Sequence, residues 1–289
     1  MLDTETASRF HQPIFIVSSP RSASSLLFQT LAQSPSVYTI GGESHNLIES
    51  VPGLHPGQRG WDSNRLSADD ADPTTTAELS RRFYRALRNR DGRTPTAAAT
   101  MIEKTPKNSL RVPFLAKAFP RARFIYLYRD PRETISSMME AWATGRFRTY
   151  PQLPEWPGLP WSLLLVPGWR DLRGLALAEI VAHQWARTTA MLVEDLSSLA
   201  PGQVVSVSSQ DFLAAPQSTV QGLCTALGLH WDRMLPDDLP FSPTVVSPPR
   251  PEKWRRNEDA INAVRSIVAE IDSRAKKTRD QFRLKPASV

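Results

Sequence analysis

Apolar runs of strand length alternate along this chain with stretches of helical periodicity, and two of the junctions between them share one chemistry. Ile14-Phe15-Ile16-Val17 is a continuous apolar run, as a strand buried on both faces requires. It leads through Pro20-Arg21-Ser22-Ala23-Ser24-Ser25 into Leu26, Leu27, Leu31 and Ala32, which are spaced as on a helix. About a hundred residues later, Arg123–Tyr128 has β-branched and aromatic strand character and ends in Arg129-Asp130-Pro131, with Ser137 eight residues after Arg129. Alternating strands and helices imply a parallel sheet. The expected fold is therefore a single α/β domain of three layers, α/β/α.

Each junction suits an anion. The first N–H groups of a helix lack intrahelical acceptors and sit at the positive end of its dipole. Small residues at 22–25 let an oxyanion approach them, and Arg21 adds a fork of charged donors. In the second junction Asp130 reads as N-cap, Pro131 as the first helical residue and Glu133 as a first-turn acid. Arg129 and Ser137 can then hold one phosphate between them. Two anion sites in one domain fit a nucleotide with phosphates at both ends. Singly, each junction also reads as a capped helix beside a solvated arginine, with Arg129 paired to Asp130 or Glu133. A Walker A loop is absent, since no glycine falls between Phe10 and Ile40.

Together the segments resemble the sulfotransferases that use 3′-phosphoadenosine 5′-phosphosulfate (PAPS). Pro20-Arg21-Ser22-Ala23-Ser24-Ser25-Leu26 matches that family's 5′-phosphosulfate loop, P-[KR]-S-G-[ST]-[ST]-[LW], except for Ala23 in place of glycine. Arginine at position 21 is the tyrosylprotein and carbohydrate-branch form of that loop. Arg129, Asp130, Pro131 and Ser137 match its 3′-phosphate motif without a gap. Gly41-Gly42-Glu43-Ser44 resembles the stretch that carries a glutamate base in tyrosylprotein and bacterial members. Glu103-Lys104-Thr105-Pro106 resembles the segment whose lysine faces the sulfuryl group. Asp211–Pro216 with Leu223–Leu229, and Lys253-Trp254-Arg255-Arg256-Asn257, resemble the C-terminal regions, the last closing over the nucleotide. Ser209 and Gln210 depart from the pattern, where a tyrosine and a glutamate are usual.

The resemblance implies a P-loop-like fold and transfer of a sulfuryl group from PAPS to a hydroxyl, leaving 3′-phosphoadenosine 5′-phosphate (PAP). Such transfer is loose and in line, so the protein positions groups and stabilises charge. Arg21 and Lys104 are the expected cations at the bridging oxygen, and Glu43 the expected base. Ser22, Ala23, Ser24 and Ser25 hold the phosphosulfate; Arg129, Ser137, Lys253, Trp254 and Arg255 hold the rest of the nucleotide. His45 titrates near neutral pH and is a rival base. Glu103 is another, although an extended segment turns it away from Lys104. The histidines at 11, 45, 55, 183 and 230 lack ligand spacing, so no metal is expected.

Trp142, Trp156, Trp161 and Trp169, with Phe147, Tyr150 and five prolines, mark 142–175 as a candidate acceptor lid. Trp142 and Trp161, with Glu43 and His45, are the expected acceptor contacts, for an apolar or aromatic alcohol. The same segment could equally be packed on the core. Residues 1–12 read as a flexible tail and 13–289 as the domain. Residues 51–76, rich in Gly, Pro, Asp, Ser and Thr, read as a long loop. A net charge of +6 favours anionic ligands. No run of basic residues interleaved with aromatics suggests a nucleic-acid surface. No apolar run is long enough to span a bilayer, and no signal-peptide core is visible. The single Cys224 precludes an intrachain disulfide, so a cytoplasmic location is expected. A small-molecule hydroxyl acceptor is the main expectation; a carrier-bound acyl chain, a sugar or a peptidyl tyrosine keeps the same chemistry. A nucleotide kinase needs a Walker A loop, and a nucleotide-binding protein without catalysis would not need Glu43 and Lys104.

Overall fold

A parallel sheet of four strands, in the order β2-β1-β3-β6, forms the centre of the computed structural model, which describes residues 9–240, Val246 and residues 252–284. The strands are β1 (Phe10–Val17), β2 (Ala99–Lys104), β3 (Arg123–Tyr128) and β6 (Val204–Ser208). A short antiparallel pair, β4 (Arg148–Tyr150) and β5 (Trp161–Ser162), lies outside it. The helices are α1 (Ser24–Leu31), α2 (His45–Glu49), α3 (Pro73–Ala86), α4 (Val112–Ala118), α5 (Pro131–Thr144), α6 (Leu177–Ser197), α7 (Ser209–Ala214), α8 (Pro216–Leu227), α9 (Glu258–Ala263) and α10 (Arg265–Gln281).

Alternation along the strands builds the layers. Phe15, Val17, Phe124 and Tyr126 pack with residues of α3, α4 and α6 on one face. Ile14, Ile16, Ile125 and Leu127 pack with α1 and α8 on the other. The continuous apolar runs are thus strands covered on both sides, as expected. A third apolar cluster joins α5, the tryptophan segment, α6, α9 and α10.

Strand order locates the site. After β1 the chain crosses to β2 on one side and later returns to β3 on the other, so β1 and β3 are neighbours whose following loops diverge. Such a switch point leaves a crevice at the carboxyl ends of the strands. Both anion junctions begin there.

Three expectations change in detail. Residues 10–12 belong to β1, because Phe10 is buried edge-on against Tyr84 and Phe119. Residues 51–76 are not a bare loop. They hold two 3-10 turns and the start of α3, and Arg65 pairs with Asp195 on α6. The 142–175 segment is packed as a wall of the fold, with Leu165 exchanging backbone and side-chain bonds with Asn64. At the other end of the chain, Phe282 and Leu284 exchange hydrogen bonds with Ser206 and so line the outer edge of β6. Among the described residues no helix is long and apolar enough to cross a membrane.

Candidate active site

A cleft of about 1000 Å³ opens at the carboxyl ends of β1, β2 and β3. Its first wall is the β1–α1 junction. Ser18 is fixed by Ser109, whose hydroxyl donates to the Ser18 carbonyl at 2.5 Å and accepts from its N–H at 3.0 Å. Beyond it Arg21 and Ala23 both take left-handed backbone, with φ 67° each. Ala23 is the N-cap of α1, and its carbonyl receives the N–H groups of Leu26 and Leu27. This folds residues 20–25 around the end of the helix, with the N–H groups of Ser24 and Ser25 at its positive end, where an anion would sit. Helical dihedrals at Ala23 would have suited alanine. The left-handed geometry favours glycine.

The second wall is α5. Asp130 accepts from the Arg132 N–H at 2.8 Å and so caps the helix. Glu133, Ser136, Ser137 and Glu140 share one helical face, and all four line the cleft. Arg129 donates to the Arg21 carbonyl at 2.7 Å and to Glu133 at 3.0 Å. The Arg21 guanidinium donates to Ser137 at 3.3 Å and lies 4.7 Å from the Phe147 ring centre. Burial, then Arg129 and Arg146, push the Arg21 guanidinium down to about 10, so it stays charged at neutral pH. The expected grip of Arg129 with Ser137 is therefore arranged differently: Ser137 meets Arg21, while Arg129 braces the loop from below.

The third group comes from β2 and the turn before α2. Lys104 is buried, and its ammonium donates to Glu43 at 2.6 Å. Glu103 points the other way, as expected, and is 0% exposed. It accepts from Thr105 at 2.5 Å, from Asn108 at 2.7 Å and from the Ser44 N–H at 3.3 Å. Burial raises the Glu103 carboxyl above its ordinary value. Glu103 thus anchors the turn that carries Glu43 and does not face the cleft. His45 Nδ1 lies 3.8 Å from Glu43, and burial, then Lys107, lowers its proton affinity.

The C-terminal wall is the turn Lys253–Asn257. Lys253 donates to Glu140 at 3.0 Å, Arg256 pairs with the same carboxylate, and Asn257 donates to Ser136 at 2.9 Å. Trp254 is packed between the guanidiniums of Arg132 and Arg255. Lys253 and Trp254 line the cleft, but Arg255 does not. Arg255 pairs with Glu252 and Glu258 on the outer side, which corrects its expected place among the nucleotide contacts. Ser209 and Gln210 also lie outside the lining.

Trp142 and Trp161 need the same correction. They are 2% and 0% exposed and sit in the third apolar cluster, not in the cleft. Trp142 lies about 140° around α5 from Ser137, at 3.6 residues per turn. Its indole donates to Gln184 at 3.1 Å, and that of Trp161 donates to the Leu164 carbonyl at 3.0 Å. The two rings meet edge-on at 5.3 Å. Besides Trp254, the aromatic residues that line the cleft among the described residues are Trp61, Phe147 and Tyr150, with His55 beside them. Glu49 and Lys107 complete that end. Phe147 and Tyr150 were named with the tryptophan segment, but Trp61 and Lys107 were missed, because Trp61 lies in the Gly- and Pro-rich stretch and Lys107 follows Pro106 with no period to assign its face.

Twelve of the expected residues therefore meet in one cleft: Arg21, Ser22, Ala23, Ser24, Ser25, Glu43, His45, Lys104, Arg129, Ser137, Lys253 and Trp254. Comparison with known proteins gives the same direction. A profile described as "Sulfotransferase family" matches residues 13–159. A Caenorhabditis briggsae protein named "Putative protein-tyrosine sulfotransferase" is 28% identical over 133 residues, 46% of this chain and 45% of that protein. The match thus spans less than half of that relative. A solved sulfotransferase from Alicyclobacillus acidocaldarius has the same fold, with TM-score 0.53 and 14% identity over 92% of this chain and 95% of that one. A mouse sulfotransferase solved with PAP matches at TM-score 0.48 and 12% identity, over 97% and 92% of the two chains.

Proposed function

The chain belongs to the sulfotransferase family, and on that footing we propose that it moves a sulfuryl group from PAPS to a hydroxyl of a small-molecule or natural-product acceptor. One observation carries this reading: side chains of the two anion junctions, Arg21 and Ser137, lie 116 residues apart in sequence and 3.3 Å apart in the cleft, with Lys104 and Glu43 lining the same space. That arrangement suits a nucleotide held at both phosphates, with its reactive end at the β1–α1 loop.

In this mechanism Ser22, Ser24, Ser25 and the first N–H groups of α1 hold the phosphosulfate oxygens. Arg21 and Lys104 balance the charge that grows on the bridging oxygen as PAP departs. Arg129, Ser137, Lys253 and Trp254 hold the 3′-phosphate and adenosine end. Glu43 takes the proton of the acceptor hydroxyl as its oxygen attacks sulfur in line. Without donor, Lys104 occupies Glu43. Once Lys104 turns to the bridging oxygen, the Glu43 carboxylate is released to the acceptor hydroxyl. A cytoplasmic setting fits a chain whose single cysteine is buried.

Calorimetry with PAP, 5′-AMP and ATP tests the donor half, with an expected preference for PAP over 5′-AMP of at least about a hundredfold, the size of several charge-assisted hydrogen bonds. Equal affinities would remove the 3′-phosphate site and the reading with it. Mass spectrometry of a hydroxyl panel tests the transfer half. The nematode relative's name favours a second acceptor, peptidyl tyrosine, and a tyrosine-containing peptide belongs in that panel.

A further inference from the structure

We infer that the acceptor end of the cleft is built for a hydroxy acid: Glu43 faces the hydroxyl, and Lys107, braced by Glu49 and Arg111, takes the acidic group. This rests on the sulfuryl-transfer reading and specifies its acceptor.

The observations begin with a count of charges. Lys107 and Arg111 share the single carboxylate of Glu49. Lys107 donates to both Glu49 oxygens at 2.8 Å, and Arg111 donates to Oε1 at 2.5 Å. One anion thus serves two cations, and the cluster keeps a net positive charge in a largely dry place. Arg111 is fully buried, and among the described residues its Nη1 has no hydrogen-bond partner. Such a surplus is costly unless a further anion can approach.

Lys107 gives that anion its route. Its side chain lines the cleft with Glu49, whereas Arg111 lies behind it. Among the described residues its ammonium has no hydrogen-bond acceptor other than Glu49, although an ammonium carries three donors. The Tyr150 ring covers it at 4.9 Å, and the Asn64 amide fixes Tyr150 through a 2.6 Å bond to the phenol oxygen. Burial, opposed by Glu49, holds the Lys107 ammonium at about 8, so most molecules carry the charge at neutral pH. The nearby His45 is held below its usual value by burial and by Lys107, and so adds little competing positive charge. A carboxylate here gains a charge-assisted bond and relieves the surplus. An ammonium or a neutral ester gains neither.

A purely structural triad, pinning α2 to the turn after β2, would leave acceptor choice untouched. The two roles separate in matched pairs of acceptors. With the full chain and PAPS, 4-hydroxyphenylacetate and 3-hydroxyoctanoate are each compared with their methyl esters. The acids are expected to show at least about tenfold higher kcat/KM, carried mainly in KM, the scale of one charge-assisted hydrogen bond. In Lys107→Met the acid-to-ester ratio falls toward one, and in Lys107→Arg it is largely kept. Esters equal to or better than the acids in both pairs, or a ratio unchanged in Lys107→Met, overturn the inference. Should Lys107→Met not fold, calorimetric titration of the same pairs into the native chain with PAP decides the matter: tighter binding of the acids supports it, and equal or weaker binding overturns it. Failure of every acceptor to gain sulfate while PAP and the acids still bind counts against the transfer reading and leaves the acid subsite supported.

Discussion

Ala23 stands in left-handed backbone at the tightest point of the β1–α1 loop, where an L-residue is strained and glycine is not. Ala23→Gly is therefore expected to raise stability by about 0.5–1 kcal/mol, the left-handed strain less the added entropy of the unfolded chain. It also removes a methyl group beside the expected phosphate path, so PAP affinity should rise as well. A lower melting temperature with weaker PAP binding would refute both. Glu43→Gln keeps the shape of the turn and removes the base; turnover is expected to fall at least about a hundredfold, with PAP affinity within a fewfold of native. Unchanged turnover would shift the role to His45. At this scale residue type and order were informative where chemistry demands a special group. Arg21, Glu43, Lys104 and Ser137, singled out for their chemistry, all line one cleft. Arg255 was misplaced although the signal was local: Glu252 and Glu258 each lie three residues from it, the spacing of an ion pair on one turn, and they hold its guanidinium on the outer side.

Among the elements, strands and helices with strong periodicity lay close to where the sequence put them: β1, β3, α5, α6 and α8 are bounded by the proline, glycine and capping signals that mark them. The stretch from 145 to 175 resisted because prolines and turns erase the phase that would tell an inward tryptophan from an outward one. Trp161 became core and Trp61 became cleft, although nothing in their neighbourhoods distinguishes them. The difference should appear on substitution. Trp161→Ala is expected to cost about 3–5 kcal/mol in chemical denaturation, as for other buried tryptophans. Trp61→Ala should act mainly on acceptor KM. A stable Trp161→Ala with altered acceptor KM would show that the wall had been misread.

For the whole molecule, pH offers a test of the ion pairs that tie distant segments. Glu49, Asp70 and Asp130 have proton affinities below their ordinary values, because their cation and hydrogen-bond partners outweigh the cost of burial. A depressed carboxylate adds stability above its unfolded pKa and loses it as pH falls through the folded one. Stability measured by urea unfolding is therefore expected to decline steadily from about pH 5 to pH 3, around the unfolded carboxylate values. Glu103, raised by burial, works in the opposite sense and softens the slope. A midpoint flat over that range would mean these pairs are not made in solution.

The contact of Phe282 and Leu284 with Ser206 has a meaning for how the chain is made. The open edge of β6 is covered by residues that leave the ribosome well after the strand itself. Until then a nascent chain presents β6 as an unpaired strand, free to pair with another copy. Truncation before Phe282 should therefore reveal itself first as aggregation during expression rather than as lost affinity.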